Sequence, residues 1–244
     1  MNIILFDQSE IDSPLQRDDP RVVHILEVLR RKVGDDTDVG LVNGPRGKAI
    51  LKSVDRRQAV FEFVWGQPSE PLLPIDLIVG LSRPQTSRKI LKEATSLGVR
   101  RIFFVATDRG EPSYATSKLW KTDQWQRLVR AGVEQAFSTR LPEVQAGIEL
   151  ADALAALAIS DFEVNEAQQV RVCLDNYEAT SRLWDAVDSA KSVTLAVGSE
   201  RGWTQGERNL FRDHGFILAQ IGDRPQRTET ATIAAIGITI ARLS

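Results

Sequence analysis

Hydrophobic positions along this chain fall into two regimes. From Ile75 onward, short apolar runs alternate with segments of helical periodicity. The runs Ile75–Val79, Ile102–Ala106, Val170–Leu174, Val193–Val197 and Phe216–Ile221 read as strands. Between them, Thr86–Leu97 (Ile90, Leu91, Ala94 and Leu97 on one face), Lys118–Phe137 (a stripe of Trp125, Leu128, Val129, Val133 and Ala136), Leu150–Ala158 and Ala179–Val187 read as helices. A capping box, Thr204-Gln205-Gly206-Glu207, opens a helix that stops at Gly215, and Thr228–Leu243 is the last helix. Strands alternating with helices predict a mostly parallel sheet covered on both faces, an α/β domain.

The first 65 residues lack that alternation. Ile3–Phe6 is a short apolar run, and Val22–Leu29 predicts a helix burying Val22, Ile25, Leu26 and Leu29. Thr37–Val42, Lys48–Val54 and Ala59–Val64 predict strands, the first two joined by the turn Asn43-Gly44-Pro45-Arg46-Gly47. Short strands with one helix predict a small β-barrel. Gly66–Pro74 carries three prolines and reads as the boundary, with domains at 1–68 and 74–244.

Composition narrows the function classes. At 42% hydrophobic and 26% charged residues, the 244-residue chain is an ordinary globular protein. Its net charge of −2 means that any contact with nucleic acid must come from local patches. Cys173, the single cysteine, sits in the apolar run VRVCL and reads as a buried thiol in a reducing, cytoplasmic setting. One cysteine with only His24 and His214 argues against a metal site. No stretch is long and apolar enough to suggest a signal peptide or membrane span. The phosphate-loop, dinucleotide and nucleophile-elbow signatures are absent, which weakens NTPase, dehydrogenase and hydrolase readings.

Two glycine-containing turns carry candidate chemistry. Gly198-Ser199-Glu200-Arg201-Gly202 follows a strand and precedes the capped helix; Ile221-Gly222-Asp223-Arg224-Pro225-Gln226-Arg227 follows the next strand. Ligands of open α/β sheets bind at the carboxyl ends of strands. Such turns offer main-chain N–H and C=O groups able to read an adenine edge. Arg227 lies at a helix N-terminus, where a cation is disfavoured, so it is expected to meet a carboxylate or phosphate. Thr228 and Glu229 suit a helix cap. Residues 83–101 hold six basic side chains, Arg83, Arg88, Lys89, Lys92, Arg100 and Arg101, against the single acid Glu93: a solvated helix face or a phosphate-facing surface. Arg30-Arg31-Lys32 is a second patch, and Arg109 and Arg140 lie in loops.

Together these residues resemble the bacterial 16S ribosomal RNA uracil-N3 methyltransferases of the SPOUT class, over essentially the full length. Gly222-x-Arg224 followed by Arg227-Thr228-Glu229-Thr230-Ala231 matches the family's G-x-R-x-x-R-T-E-T-A. Glu134-Gln135 with Arg140-x-Pro142-Glu143, Ala94-Thr95-x-Leu97-Gly98-Val99, and His24 with Val28-Leu29-Arg30 and Gly34-Asp35 match further segments.

The resemblance implies an N-terminal PUA-like RNA-binding β-barrel and a C-terminal SPOUT α/β domain with a trefoil knot. It also implies S-adenosylmethionine as cofactor, a homodimer, and 16S ribosomal RNA of the small subunit as partner. By match, the cofactor contacts Leu81, Leu174, Val197, Gly198, Ser199, Glu200, Gly202, Ile221, Gly222, Gln226 and Thr228. Arg227, Glu229 and Arg201 are the expected catalytic residues, Glu229 as base or structural cap. His24, Arg30, Arg31, Arg83, Arg88, Lys89, Arg109 and Arg140 are the expected RNA contacts. The chain departs from the family's G-P-E-G-G at Gly198–Gly202, and from its usual sequence at Arg83–Lys89 and at Ser138-Thr139-Arg140. Two alternatives stay open: an enzyme of the same class acting on another RNA such as tRNA, and a non-catalytic RNA-binding module that keeps the pocket.

Overall fold

The computed structural model describes residues 2–158 and 168–243, which divide into two compact units. The first comprises Met1–Pro71 together with Arg130–Leu141. It is built on a curled five-stranded sheet of β1 (Ile4–Phe6), β2 (Leu15–Gln16), β3 (Asp36–Leu41), β4 (Pro45–Val54) and β5 (Gln58–Pro68), ordered β1-β3-β4-β5-β2. β1 runs parallel to β3 and the remaining pairs are antiparallel. The hairpin between β4 and β5 turns on Asp55, whose Oδ1 accepts from the amides of Arg57 and Gln58 at 2.7 and 2.9 Å. Phe6, Val22, Ile25, Val39, Leu51 and Ala59 fill the core, with Phe63 edge-on to Phe6 at 5.0 Å.

The helix expected over Val22–Leu29 is only partly there. α1 (Pro20–Val23) is a single turn that continues as a wider π-helical turn, His24–Val28. The Leu29 amide reaches back to the His24 carbonyl, and the wider turn rotates Leu29 off the face holding Ile25. Leu29 is therefore 39% exposed rather than buried. Arg30 then adopts φ 55° and ends the segment.

The second unit, Leu72–Val129 with Pro142–Ser244, carries the parallel sheet that the sequence predicts. Its strands are β6 (Leu73–Gly80), β7 (Val99–Val105), β8 (Glu143–Ile148), β9 (Gln169–Leu174), β10 (Ser181–Arg182), β11 (Ser192–Val197) and β12 (Ile217–Gln220). All pairs are parallel, in the order β10-β12-β9-β11-β6-β7-β8. Every residue of β11 is buried, as a central parallel strand requires. The helices are α2 (Pro84–Ser96), α3 (Lys118–Lys121), α4 (Gln124–Gln135, whose residues from Arg130 on belong to the first unit), α5 (Leu150–Ala158), α6 (Leu183–Ala186), α7 (Gln205–Asp213) and α8 (Thr228–Leu243). Trp203, Phe211 and Phe216 interlock edge to face at 4.8 and 4.9 Å beneath the sheet.

Two helices differ from the sequence pattern, and one strand is added. The long helix over Lys118–Phe137 is two helices, because Thr122 is extended; its Oγ1 donates to the Lys118 carbonyl and accepts from the Gln124 amide. Ala136 consequently lies outside α4 and is exposed. The helix over Ala179–Val187 is instead an edge strand followed by one turn: Ser181 and Arg182 pair with Ala219 and Gln220, so sheet pairing overrides the local preference. β8 was not anticipated; its pattern is broken by Gly147 at φ 77°, next to a register shift against β7.

Candidate active site

The register of the central strands brings the carboxyl ends of β6, β9, β11 and β12 together. Val197 pairs with both Leu174 and Val79, and Ala219 pairs with Leu174. The turns leaving β9, β11 and β12 therefore emerge side by side, where strand order doubles back. They enclose a cleft of about 1000 Å³. Its apolar walls include Leu174, Val197 and Ile221, and much of the rest is main chain of 198–202 and 221–227.

The middle turn is held from both sides. Gly80 ends β6 so close to it that a Cβ would lie 2.5 Å from the Ser199 amide, which restricts this position to glycine. Gly202 closes the turn at φ 64°, donating to the Ser199 carbonyl at 2.9 Å. The capping box then fixes the exit: Thr204 accepts from the Glu207 amide, and Glu207 accepts from the Thr204 amide at 2.7 Å. Glu207 also accepts from the Asp108 amide at 2.9 Å, tying α7 to the loop after β7.

Most of the sequence-derived cofactor residues line this one cleft: Leu174, Val197, Gly198, Ser199, Glu200, Gly202, Ile221, Gly222, Gln226 and Thr228. The proposed catalytic residues Arg201, Arg227 and Glu229 line it as well, as does Arg83. Leu81 does not; it lines an adjoining pocket of about 80 Å³ with Arg83, Arg109, Tyr114 and Arg201. There Arg109 and Arg201 each donate to the other's carbonyl, at 3.4 and 3.2 Å. Among the described residues, no carboxylate lies at ion-pair distance from Arg201, Arg224 or Arg227, although Arg227 is near enough to Glu229 to help lower its pKa.

Glu229 is held below the usual carboxylate range, first by a hydrogen bond from its own amide and further by Lys89, whose Nζ lies 3.4 Å away. Arg88 donates to Gln124 on α4. His24, Arg30, Arg31 and Arg140 belong to the first unit. Arg30 and Arg31 are exposed, His24 is half-buried, and Arg140 donates to the Asn43 carbonyl at 2.8 Å.

Sequence reasoning missed the turn after β9. Asp175, Asn176 and Tyr177 line the cleft, as do Trp203 and Gln220. The signal was present: an Asp-Asn pair directly after a strand is turn chemistry, at the strand end where ligands gather. Cys173, just before it, is buried, and burial pushes its thiol well up, leaving it inert.

The cleft has room for a small ligand against its main-chain walls. A Cβ on Gly202 would meet nothing within 4 Å, and one on Gly222 would only approach the Arg182 guanidinium at 4.0 Å, so both turns leave space beside bare main chain. The buried indole N–H of Trp203, next to Gly198, has no partner among the described residues. Among the described residues, no group of three or more His, Cys, Asp or Glu is placed to hold a metal ion. No described helix is long and apolar enough to cross a membrane.

Comparison with known proteins agrees with this geometry. The RNA methyltransferase domain family matches residues 68–240. The chain is 33% identical to a ribosomal RNA small subunit methyltransferase E of Treponema pallidum, over 99% of this chain and 91% of that protein. It is 27% identical to a ribosomal RNA small subunit methyltransferase E 1 of Borreliella burgdorferi, over 100% and 99% respectively. Among solved structures, a ribosomal RNA small subunit methyltransferase E from Neisseria gonorrhoeae bound to S-adenosyl methionine superposes with a TM-score of 0.74 at 26% identity, covering 96% of this chain and 95% of that one.

Proposed function

Because the chain belongs to the RNA methyltransferase family, we propose that it transfers a methyl group from S-adenosylmethionine to N3 of a uridine in 16S RNA of the small ribosomal subunit. The observation that carries this reading is the alignment of strand ends at Leu174, Val197 and Ala219, which gathers three turns into one largely main-chain cleft lined by Arg83, Arg201, Arg224 and Arg227.

S-adenosylmethionine, when bound, supplies an electrophilic methyl group on a sulfonium. The chain's own residues do the rest. The turns at 198–202 and 221–227 hold the donor, with Leu174, Val197 and Ile221 covering its apolar surface. Uracil N3 becomes nucleophilic only on losing its proton, so a positive site that favours the ionised ring speeds the reaction. Arg227 and Arg201 supply that field from opposite turns. Glu229 is ionised at neutral pH and can pass the N3 proton on to water, but its lowered pKa makes it a weak base, so most of the assistance comes from the arginines stabilising the ring anion that remains. N3 lies on the Watson–Crick edge, so the target base must be unpaired or extruded. Arg83, Arg88, Lys89 and Arg109 are the RNA contacts in the second unit, and His24, Arg30, Arg31 and Arg140 those in the first.

The domain assignment follows from the same reading. Residues 1–68 form a PUA-like RNA-binding barrel and residues 74–244, apart from the segment 130–141 that belongs to the first unit, a SPOUT domain. The strand order supports a trefoil knot there: β11 enters between β6 and β9, and β12 returns to the far side of β9. The enzyme is a metal-independent cytoplasmic homodimer.

The test is nucleoside mass spectrometry after incubating the protein and S-adenosylmethionine with deproteinised small-subunit RNA, with isolated small subunits, and with tRNA. The expected product is 3-methyluridine in small-subunit RNA. Methylation confined to tRNA, or no donor binding by calorimetry, overturns the proposal.

A further inference from the structure

Resting on that reading, we propose that Tyr177 is a stacking platform for a base of the RNA strand entering the cleft. Tyr177 is 81% exposed, the most exposed of the large apolar side chains in the described structure, yet it lines the cleft. Single exposed aromatics are ordinary on protein surfaces; what sets Tyr177 apart is that it lines the cleft on a turn held in place by hydrogen bonds.

Its backbone is fixed to an unusual degree. Asp175 Oδ1 accepts from the Tyr177 amide at 2.8 Å and from the Glu178 amide at 2.7 Å. The Asp175 amide donates to the Ala219 carbonyl at 2.9 Å, anchoring the turn to β12. Arg208, itself only 11% exposed, reaches Asp175 at 3.4 Å and Glu178 at 2.9 Å, and Arg212 also holds Glu178. The ring thus projects from a clamped turn and needs little further ordering when a partner arrives.

The setting selects the partner. Arg224 and Arg227 line the same cleft with no carboxylate at ion-pair distance among the described residues, which leaves their guanidiniums able to meet the phosphates of a polyanion. Aromatic rings beside unpaired guanidiniums are how proteins hold single-stranded nucleic acid, the ring taking a base and the cations the phosphates. A donor of small-molecule size is enclosed by the deeper walls, Leu174, Val197 and Ile221, whereas a ring this exposed faces what comes from outside. A target uridine presented on its N3 edge has left its stack, and Tyr177 replaces the lost contact for it or its neighbour.

The test measures steady-state methylation of small-subunit RNA and calorimetric donor affinity for the full chain and its Tyr177→Ala, Tyr177→Phe and Tyr177→Trp variants. Tyr177→Ala is expected to raise KM for RNA about tenfold, with donor Kd within about twofold of the parent protein and unchanged elution volume in size-exclusion chromatography. Tyr177→Phe and Tyr177→Trp retain the ring and keep KM near the parent value. An unchanged KM in Tyr177→Ala, a donor Kd weakened in its place, or an altered oligomeric state would each overturn the assignment. If the parent protein itself methylates no RNA, the functional reading fails first.

Discussion

Arg208 Nη1 lies 3.4 Å from Asp175 Oδ2 behind the cleft wall, and the two side chains are 11% and 2% exposed. The pair joins the first turn of α7 to the turn after β9. Removing the cation leaves a buried carboxylate with only its two amide donors for compensation. Breaking a pair of this kind costs about 3 kcal/mol. Arg208→Leu should therefore lower the melting temperature by roughly 6–12 °C for a chain of this size. Arg208→Lys should recover part of the loss. A melting temperature within about 2 °C of the parent protein in Arg208→Leu would show that the pair contributes little.

Gly222 tests the donor cleft more directly. Its Cβ would project into space, with only the Arg182 guanidinium near, so a larger side chain is tolerated by the fold but occupies volume the donor needs. Gly222→Val should weaken S-adenosylmethionine binding at least tenfold, about 1.4 kcal/mol, with little change in thermal stability. Calorimetry alongside thermal melts reads both quantities. Unaltered donor affinity would move the donor away from this turn.

Acid stability of the first unit should be set by Arg21. Its guanidinium bonds Glu10 at 2.7 and 2.8 Å and Asp19 at 2.7 and 3.0 Å, and it lies over the Phe6 ring at 4.7 Å. Both carboxyls are held below their usual values of 4.5 and 3.8, chiefly by these side-chain hydrogen bonds. A depressed folded-state pKa stabilises above the unfolded value, and that contribution is lost as pH falls through the folded one. Denaturant midpoints should therefore be steady above about pH 5 and fall steeply below pH 4.5. Arg21→Met should lower the plateau and flatten the acid limb. Parallel pH profiles for the two proteins would sink the idea.

The parallel domain was legible because its strands are continuous apolar runs and its helices carry clear stripes. Thr228–Leu243 and Leu150–Ala158 coincide with α8 and α5, and the Thr204–Glu207 box forms as the spacing requires. Both glycine turns line one cleft because strand ends in a parallel sheet are brought level by register, which the run lengths already imply. What was not legible depended on partners distant in sequence. Ser181 and Arg182 form a strand only because β12 offers an edge. Thr122 breaks its helix by a side-chain choice that periodicity does not see. The Glu134-Gln135 pair reads only as a match to the family; Glu134 accepts from the Leu5 amide at 3.2 Å within the first unit, where burial raises its pKa. No local pattern around Glu134 announces a bond 129 positions away.

The methylation rate should depend on pH. If ionisation of the uracil ring limits the reaction, turnover at saturating donor and RNA should rise with pH from 6 to 9, because more of the target carries the nucleophilic N3. Glu229 cannot be the source of that rise, since its carboxyl sits below the usual range and is already ionised. Glu229→Gln should then lower turnover by less than tenfold and leave the shape of the profile intact. Arg227 acts differently. Exposed, with no carboxylate at ion-pair distance among the described residues but close enough to Glu229 to help lower its pKa, it favours the ring anion through its charge and its planar donors. Arg227→Ala should reduce turnover by about a hundredfold or more, the loss typical of one preorganised donor. It should also displace the rising limb to higher pH, with the melting temperature unchanged. Arg227→Lys should restore the position of the limb better than it restores the rate, because a point charge keeps the field but not the planar donor geometry. A flat profile in the parent protein, or an Arg227→Ala profile that is lowered without being displaced, would mean that Arg227 holds the RNA rather than stabilising its ionised base.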